Sequence, residues 1–121
     1  QVASIMSYDF LMMKPSALIR SPEEVSEETL ALQDPQAIVA ALERFSPQIA
    51  WRRTPDGGWS GSLDGEDTWY EFRIGESPDY TWSICTSHRT DTRSLIPAIC
   101  DALGVVAFDG QAGTMIVGTS D

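Results

Sequence analysis

Basic residues are scarce in this sequence. Eight Lys and Arg stand against 18 Asp and Glu in 121 residues, giving a formal net charge of −10. Arg52-Arg53 is the only adjacent basic pair, too little positive charge for a nucleic-acid face. Such an acidic field also repels anionic lipid. Only two cysteines occur, Cys85 and Cys100, too few for a disulfide framework. There is one histidine, His88. Cys85-x-x-His88 with Cys100 would still lack the fourth ligand of a structural zinc site, so no metal and no cofactor are expected. Ser87, His88 and Asp91 are residue types of a nucleophilic triad, but no strand-Gly-x-Ser-x-Gly-helix elbow holds them, and no catalytic residue is expected. No glycine loop opens a helix, and Gly57, Gly58, Gly61 and Gly65 read as hairpin punctuation. No apolar run approaches the roughly 18 residues of a membrane span.

What is present suits one globular domain over residues 1–121. Hydrophobic residues make up 42% and charged residues 21%, too apolar for a disordered chain. Met6-Ser7-Tyr8-Asp9 reads as a natural start, with residues 1–5 as a processing remnant or a disordered leader. No signal-peptide apolar region is visible, so a reduced cytoplasmic setting is expected. The acidity is unevenly placed. Residues 23–79 hold 13 acids and 4 bases, and the rest holds 5 acids and 4 bases.

Hydrophobic spacing predicts the elements. Tyr8 to Lys14, ended by Pro15, reads as a buried first strand. Residues 20–33, with four glutamates, read as a solvated loop with at most one helical turn. Asp34-Pro35 opens a helix carrying Ala37, Ile38, Ala41, Leu42 and Phe45 at helical spacing, and Pro47 stops it. Four strands then follow as a meander: 49–53, 59–63, 68–74 and 80–87, separated by turns at Asp56-Gly57-Gly58, 64–67 and 75–79. Alternation puts Tyr70, Phe72 and Ile74 on one face and Trp69, Glu71 and Arg73 on the other, and it groups Tyr80 with Trp82 and Ile84. A second helix carries Leu95, Ile96, Ile99, Cys100 and Leu103 and closes at Gly104. Capping by Ser94 would put Pro97 in its first turn, whereas capping by Asp91 would bend it. Strands at 105–109 and 114–117 follow. The order implies an α+β fold, an antiparallel sheet with two helices on one face.

The aromatic residues point to binding. Trp51, Trp59, Trp69 and Trp82 are interleaved with Tyr70, Tyr80 and seven acids between Asp56 and Asp79. Tryptophan and tyrosine dominate interface hot spots, and carboxylates around them suit a basic partner. Trp59, Trp69 and Tyr80 are the expected anchors, and Asp64, Glu66, Asp67 and Glu71 the expected partners of Lys or Arg. The glutamates from Glu23 to Glu28 form a second arm. A small-ligand site or an enzyme on this same acidic aromatic face is the alternative, marked by a deep pocket with converging polar groups. A self-complementary apolar patch would instead mark a homodimer.

The two ends carry a resemblance. Met6-Ser7-Tyr8-Asp9-Phe10 and the run from Leu103 to Gly113, Leu-Gly-Val-Val-Ala-Phe-Asp-Gly-Gln-Ala-Gly, resemble a loose group of small bacterial proteins. That group opens with a Tyr-Asp strand. It closes with a helix and a strand bearing Phe or Tyr before Asp, then Gln. Several members are immunity proteins of polymorphic or type VI secreted toxins. The resemblance implies an immunity protein that occludes a cognate toxin acting in the cytosol. Asp109 and Gln111 match the closing motif and imply structural roles in the strand and turn.

Overall fold

A computed structural model describes residues 7–16, 22–64, 69–87, 95–109 and 113–116. Its elements are β1 (Ser7–Pro15), a 3-10 turn (Pro22–Glu24), β2 (Leu30–Ala31), α1 (Pro35–Phe45), β3 (Ala50–Arg53), β4 (Trp59–Asp64), β5 (Trp69–Ile74), β6 (Thr81–Ser87), α2 (Leu95–Leu103), β7 (Val106–Asp109) and β8 (Thr114–Ile116). The strands form one eight-stranded antiparallel sheet of order β3-β4-β5-β6-β1-β7-β8, with β2 paired to the end of β1. The α+β architecture is therefore the expected one. No described helix is long and apolar enough to cross a membrane.

Local chemistry accounts for both helices. The Asp34 carboxylate accepts from the Ala37 amide at 3.0 Å, and Pro35 follows where no amide is needed. Pro47 prevents continuation, and the Ser46 amide closes on the Leu42 carbonyl at 2.8 Å. Helix α2 is described over Leu95–Leu103, with Pro97 as its third described residue, and the two candidate caps, Ser94 and Asp91, lie outside the described residues. Gly104 ends it at φ +69°, where its amide reaches the Cys100 carbonyl.

Register decides the faces. Phe72 lies across from Gly61 and Ile84, and Ile84 across from Phe10. Both helices pack on that side. Leu42, Ile96 and Ile99 meet Phe10, Met12, Tyr70, Phe72, Trp82 and Ile84 in the main core. Strand β1 is an interior strand, between β6 and β7, with a ladder on both sides. The expectation of a wholly buried first strand needs correction: Phe10, Met12 and Met13 are buried, but Leu11 is 42% exposed on the face without helices.

Residues 22–33 hold the expected single helical turn, at Pro22–Glu24, and most are exposed, but they are more than a loop. They form a flap. Leu30 is buried, and with Met13 and Val106 it forms a second, smaller cluster on the helix-free face, bordered by Val25, Tyr80, Phe108 and Met115. The flap ends on Gln33, a buried polar hub. Its side-chain amide nitrogen donates to the Tyr80 and Met12 carbonyls at 3.1 and 3.4 Å, and its oxygen accepts from Trp82 Nε1 at 2.9 Å. Its backbone exchanges two hydrogen bonds with Asp79. These bonds satisfy an indole and an amide that would each be costly to bury alone.

Candidate functional site

The face without helices is the candidate surface, and strand pairing sets its composition. One row runs Arg52, Ser60, Arg73, Ser83, Leu11, Phe108, Met115 across seven strands. It passes from polar to apolar. The adjacent row runs Ala50, Ser62, Glu71, Cys85, Asp9. The β3–β6 half is thus polar, and the half around β1, β7 and β8 is apolar and partly roofed by the flap.

Trp69 is 40% exposed on this face and pairs with exposed Asp64 at the end of β4. Glu71 is half-buried, and its carboxylate is engaged within the chain by Arg73 at 3.0 Å and by the Ser60 hydroxyl at 3.3 Å. That hydrogen bond with Glu71 is the leading cause holding the Arg73 guanidinium above its ordinary pKa. Trp59 faces the helix side, half-buried, with the Arg53 guanidinium 4.2 Å above its ring. Trp51 joins it there, 6.2 Å from Phe72, and Trp82 is buried. Of the four indoles, only Trp69 stands on the open face.

Tyr80 was expected to share a face with Trp82 and Ile84, and here the structure corrects the sequence reading. The chain bends at Tyr80, β6 begins at Thr81, and the phenol packs half-buried in the second cluster. Glu66 and Asp67 lie outside the described residues, as do His88, Asp91, Ser94 and Gln111. Among the described residues, no group of three His, Cys, Asp or Glu side chains could hold a metal ion.

Gly61 also needs correction. It is not turn punctuation but the middle of β4. A Cβ there would lie 2.7 Å from the Trp51 ring, so only glycine lets the indole lie flat on the strand. At the true turn, Gly57 has φ +92°, and Asp56 accepts from the Thr54 hydroxyl and the Gly58 amide. Those bonds hold the Asp56 carboxyl below its usual range.

Both thiols are held protonated. Cys85 donates to Asp9 Oδ1 at 2.7 Å, and burial first, then that bond, pushes its pKa up to about 11. Burial, with the nearby Asp101 charge, also pushes Cys100 up to about 11. They occupy opposite faces of the structure and neither has thiolate character near neutrality.

Three concavities bear on what the surface can do. A groove of about 410 Å³ runs along α1 toward the end of α2, lined by Ala37, Ile38, Ala41 and Leu103, with Lys14, Asp34 and Arg44 at its edges. Its charged groups serve the helix ends. Lys14 Nζ donates to the last carbonyl of α2, from Leu103, at 3.4 Å, Arg44 sits in the last turn of α1, and Asp34 caps its start. Its polar groups therefore do not converge on a ligand. The second, of about 290 Å³, lies toward the polar half of the open face beside Arg52, Trp59, Ser60, Glu71 and Arg73, where Glu71 is already engaged by Arg73 and Ser60. The third, on the apolar half, is a cleft of about 160 Å³ walled by Leu11, Met13, Val25 and Phe108. Sequence reasoning nominated none of these four. The available signal was the apolar alternation of Leu11 and Met13 within a run that is apolar on both faces.

The residues of the closing motif lie against those of the opening one. Asp109 on β7 pairs with Phe10 on β1, and its side chain is fully buried. Compared with models of known families, with curated proteins and with solved structures, the chain matches none.

Proposed function

We propose that this chain is an immunity protein that binds a secreted bacterial toxin acting in the cytosol and occludes a basic surface on it. The observation that carries this reading is the sheet face left open by the helices. Leu11 and Trp69 are half-exposed on it, at 42% and 40%, in a chain of net charge −10. Apolar anchors give an interface its lifetime, and a net negative charge speeds encounter with an opposite field. The resemblance of the two end segments to immunity proteins points the same way.

The test is co-expression with the toxin encoded beside the gene. Rescue of growth and a stable complex are expected. Asp64→Lys should slow association several-fold at low salt and less at high salt. If no adjacent toxin is neutralised and no complex forms even at low ionic strength, the reading fails.

A further inference from the structure

We infer that the cleft between the flap and the sheet takes one large aliphatic or aromatic side chain of a protein partner, presented between Lys or Arg residues. This rests on the partner-binding reading above and places its anchor at a different end of the face from Trp69.

The walls belong to three segments: Leu11 and Met13 on β1, Phe108 on β7, and Val25 on the flap. All are apolar, and Met13 beneath is buried. About 160 Å³ corresponds to a few waters, each occupying about 30 Å³ in the liquid, and an apolar lining gives them few hydrogen bonds. An apolar side chain displaces such waters favourably. Leu11, beside the second cluster, adds exposed apolar surface at the cleft.

Charge complementarity identifies the occupant. The flap bears exposed Glu27 and Glu28 within three residues of Val25, and exposed Asp9 precedes Leu11 by two residues on the same face. Among the described residues, no basic residue lines the cleft. A second copy of the chain would set one net charge of −10 against another, which opposes self-association through this face. A basic segment meets no such penalty.

The experiment titrates the isotope-labelled full chain with acetyl-Lys-Lys-Leu-Phe-Lys-Lys-amide and, separately, with acetyl-Lys-Lys-Ser-Gly-Lys-Lys-amide. The first should give saturable amide shifts centred on Leu11, Met13, Val25 and Phe108, and the second should not. Leu11→Asp should weaken the first peptide at least tenfold, and Leu11→Ala severalfold, both with an unchanged unfolding midpoint. Equal binding of both peptides, shifts centred on Asp64 and Trp69, or no shifts at these four amides would overturn the inference. So would a dimer in sedimentation equilibrium that Leu11→Asp dissociates, since the cleft would then belong to a second copy. The two readings fail separately. A toxin bound equally well by the Leu11→Asp variant overturns the cleft and leaves the immunity function. A chain that takes the peptide in the cleft but neutralises no toxin does the reverse.

Discussion

The two faces of the sheet are covered in different ways. On one, two amphipathic helices seal a core in which Phe10, Met12, Leu42, Phe72, Ile84, Ile96 and Ile99 are wholly buried. On the other, a flap with a single 3-10 turn and a two-residue strand makes, among the described residues, a small cluster of Met13, Leu30 and Val106. The first face is where the fold's stability resides. The second carries little burial, so its exposed residues are free to serve recognition. The difference shows that an apolar strand residue is not automatically a core residue: Leu11 has the hydrophobicity of its neighbours Phe10 and Met12, but not their cover.

Removing core volume should break the comparison most sharply. Ile99→Ala is expected to cost about 2–5 kcal/mol, read from urea unfolding, because the sealed side cannot collapse onto the void. A loss below about 1 kcal/mol would mean that α2 is not held as described. Gln33→Leu comes next. It strands Trp82 Nε1 and unfastens the flap from β6, with an expected cost of about 1–3 kcal/mol. Hydrogen exchange should rise in residues 22–33 before it rises in the main core.

The third expectation concerns pH. Both thiol pKa values are raised to about 11 from an ordinary value near 9. The folded state therefore keeps protons that the unfolded chain gives up in this range. The contribution is complete below pH 9 and is lost as pH rises toward 11. The urea midpoint should fall across that window, and less so in a Cys85→Ser, Cys100→Ala variant. At pH 8 both thiols should react with a disulfide reagent far more slowly than a free cysteine. Leu11→Ser should have the smallest effect, within about 0.5 kcal/mol, because its side chain is already half in water. A larger loss would place Leu11 in the core and erase the distinction between the faces.

Much of the fold was legible. Asp34-Pro35 and Gly104 marked helix ends through backbone chemistry that needs no distant partner. The alternation of Tyr70, Phe72 and Ile74 identified the covered face of β5. The flap was not legible, because Leu30 and Val25 are isolated apolar residues among glutamates, with no period to reveal that a sheet lies beneath them. Alternation alone groups Tyr80 with Trp82, because the bend at Tyr80 that precedes β6 leaves no mark in the apolar pattern. Gly61 looked like a turn residue because its reason for being glycine, the ring of Trp51, comes from the neighbouring strand. Of the residues first considered for the interface, Trp69 and Asp64 stand on the open face, Trp59 lies on the other, and Glu71 is engaged by Arg73.

By itself the sequence determined the acidic balance, the start of α1, the ends of both helices, the turn at Asp56-Gly57-Gly58 and the strand periodicity. Each of these depends on groups a few residues apart. Only the tertiary structure decided that β1 would lie in the interior of the sheet, that the glutamate-rich segment would fold over its open side, and that Leu11 would stand uncovered beside a cleft. Those outcomes depend on which strands pair and in what register, and backbone hydrogen bonds between distant segments set that register.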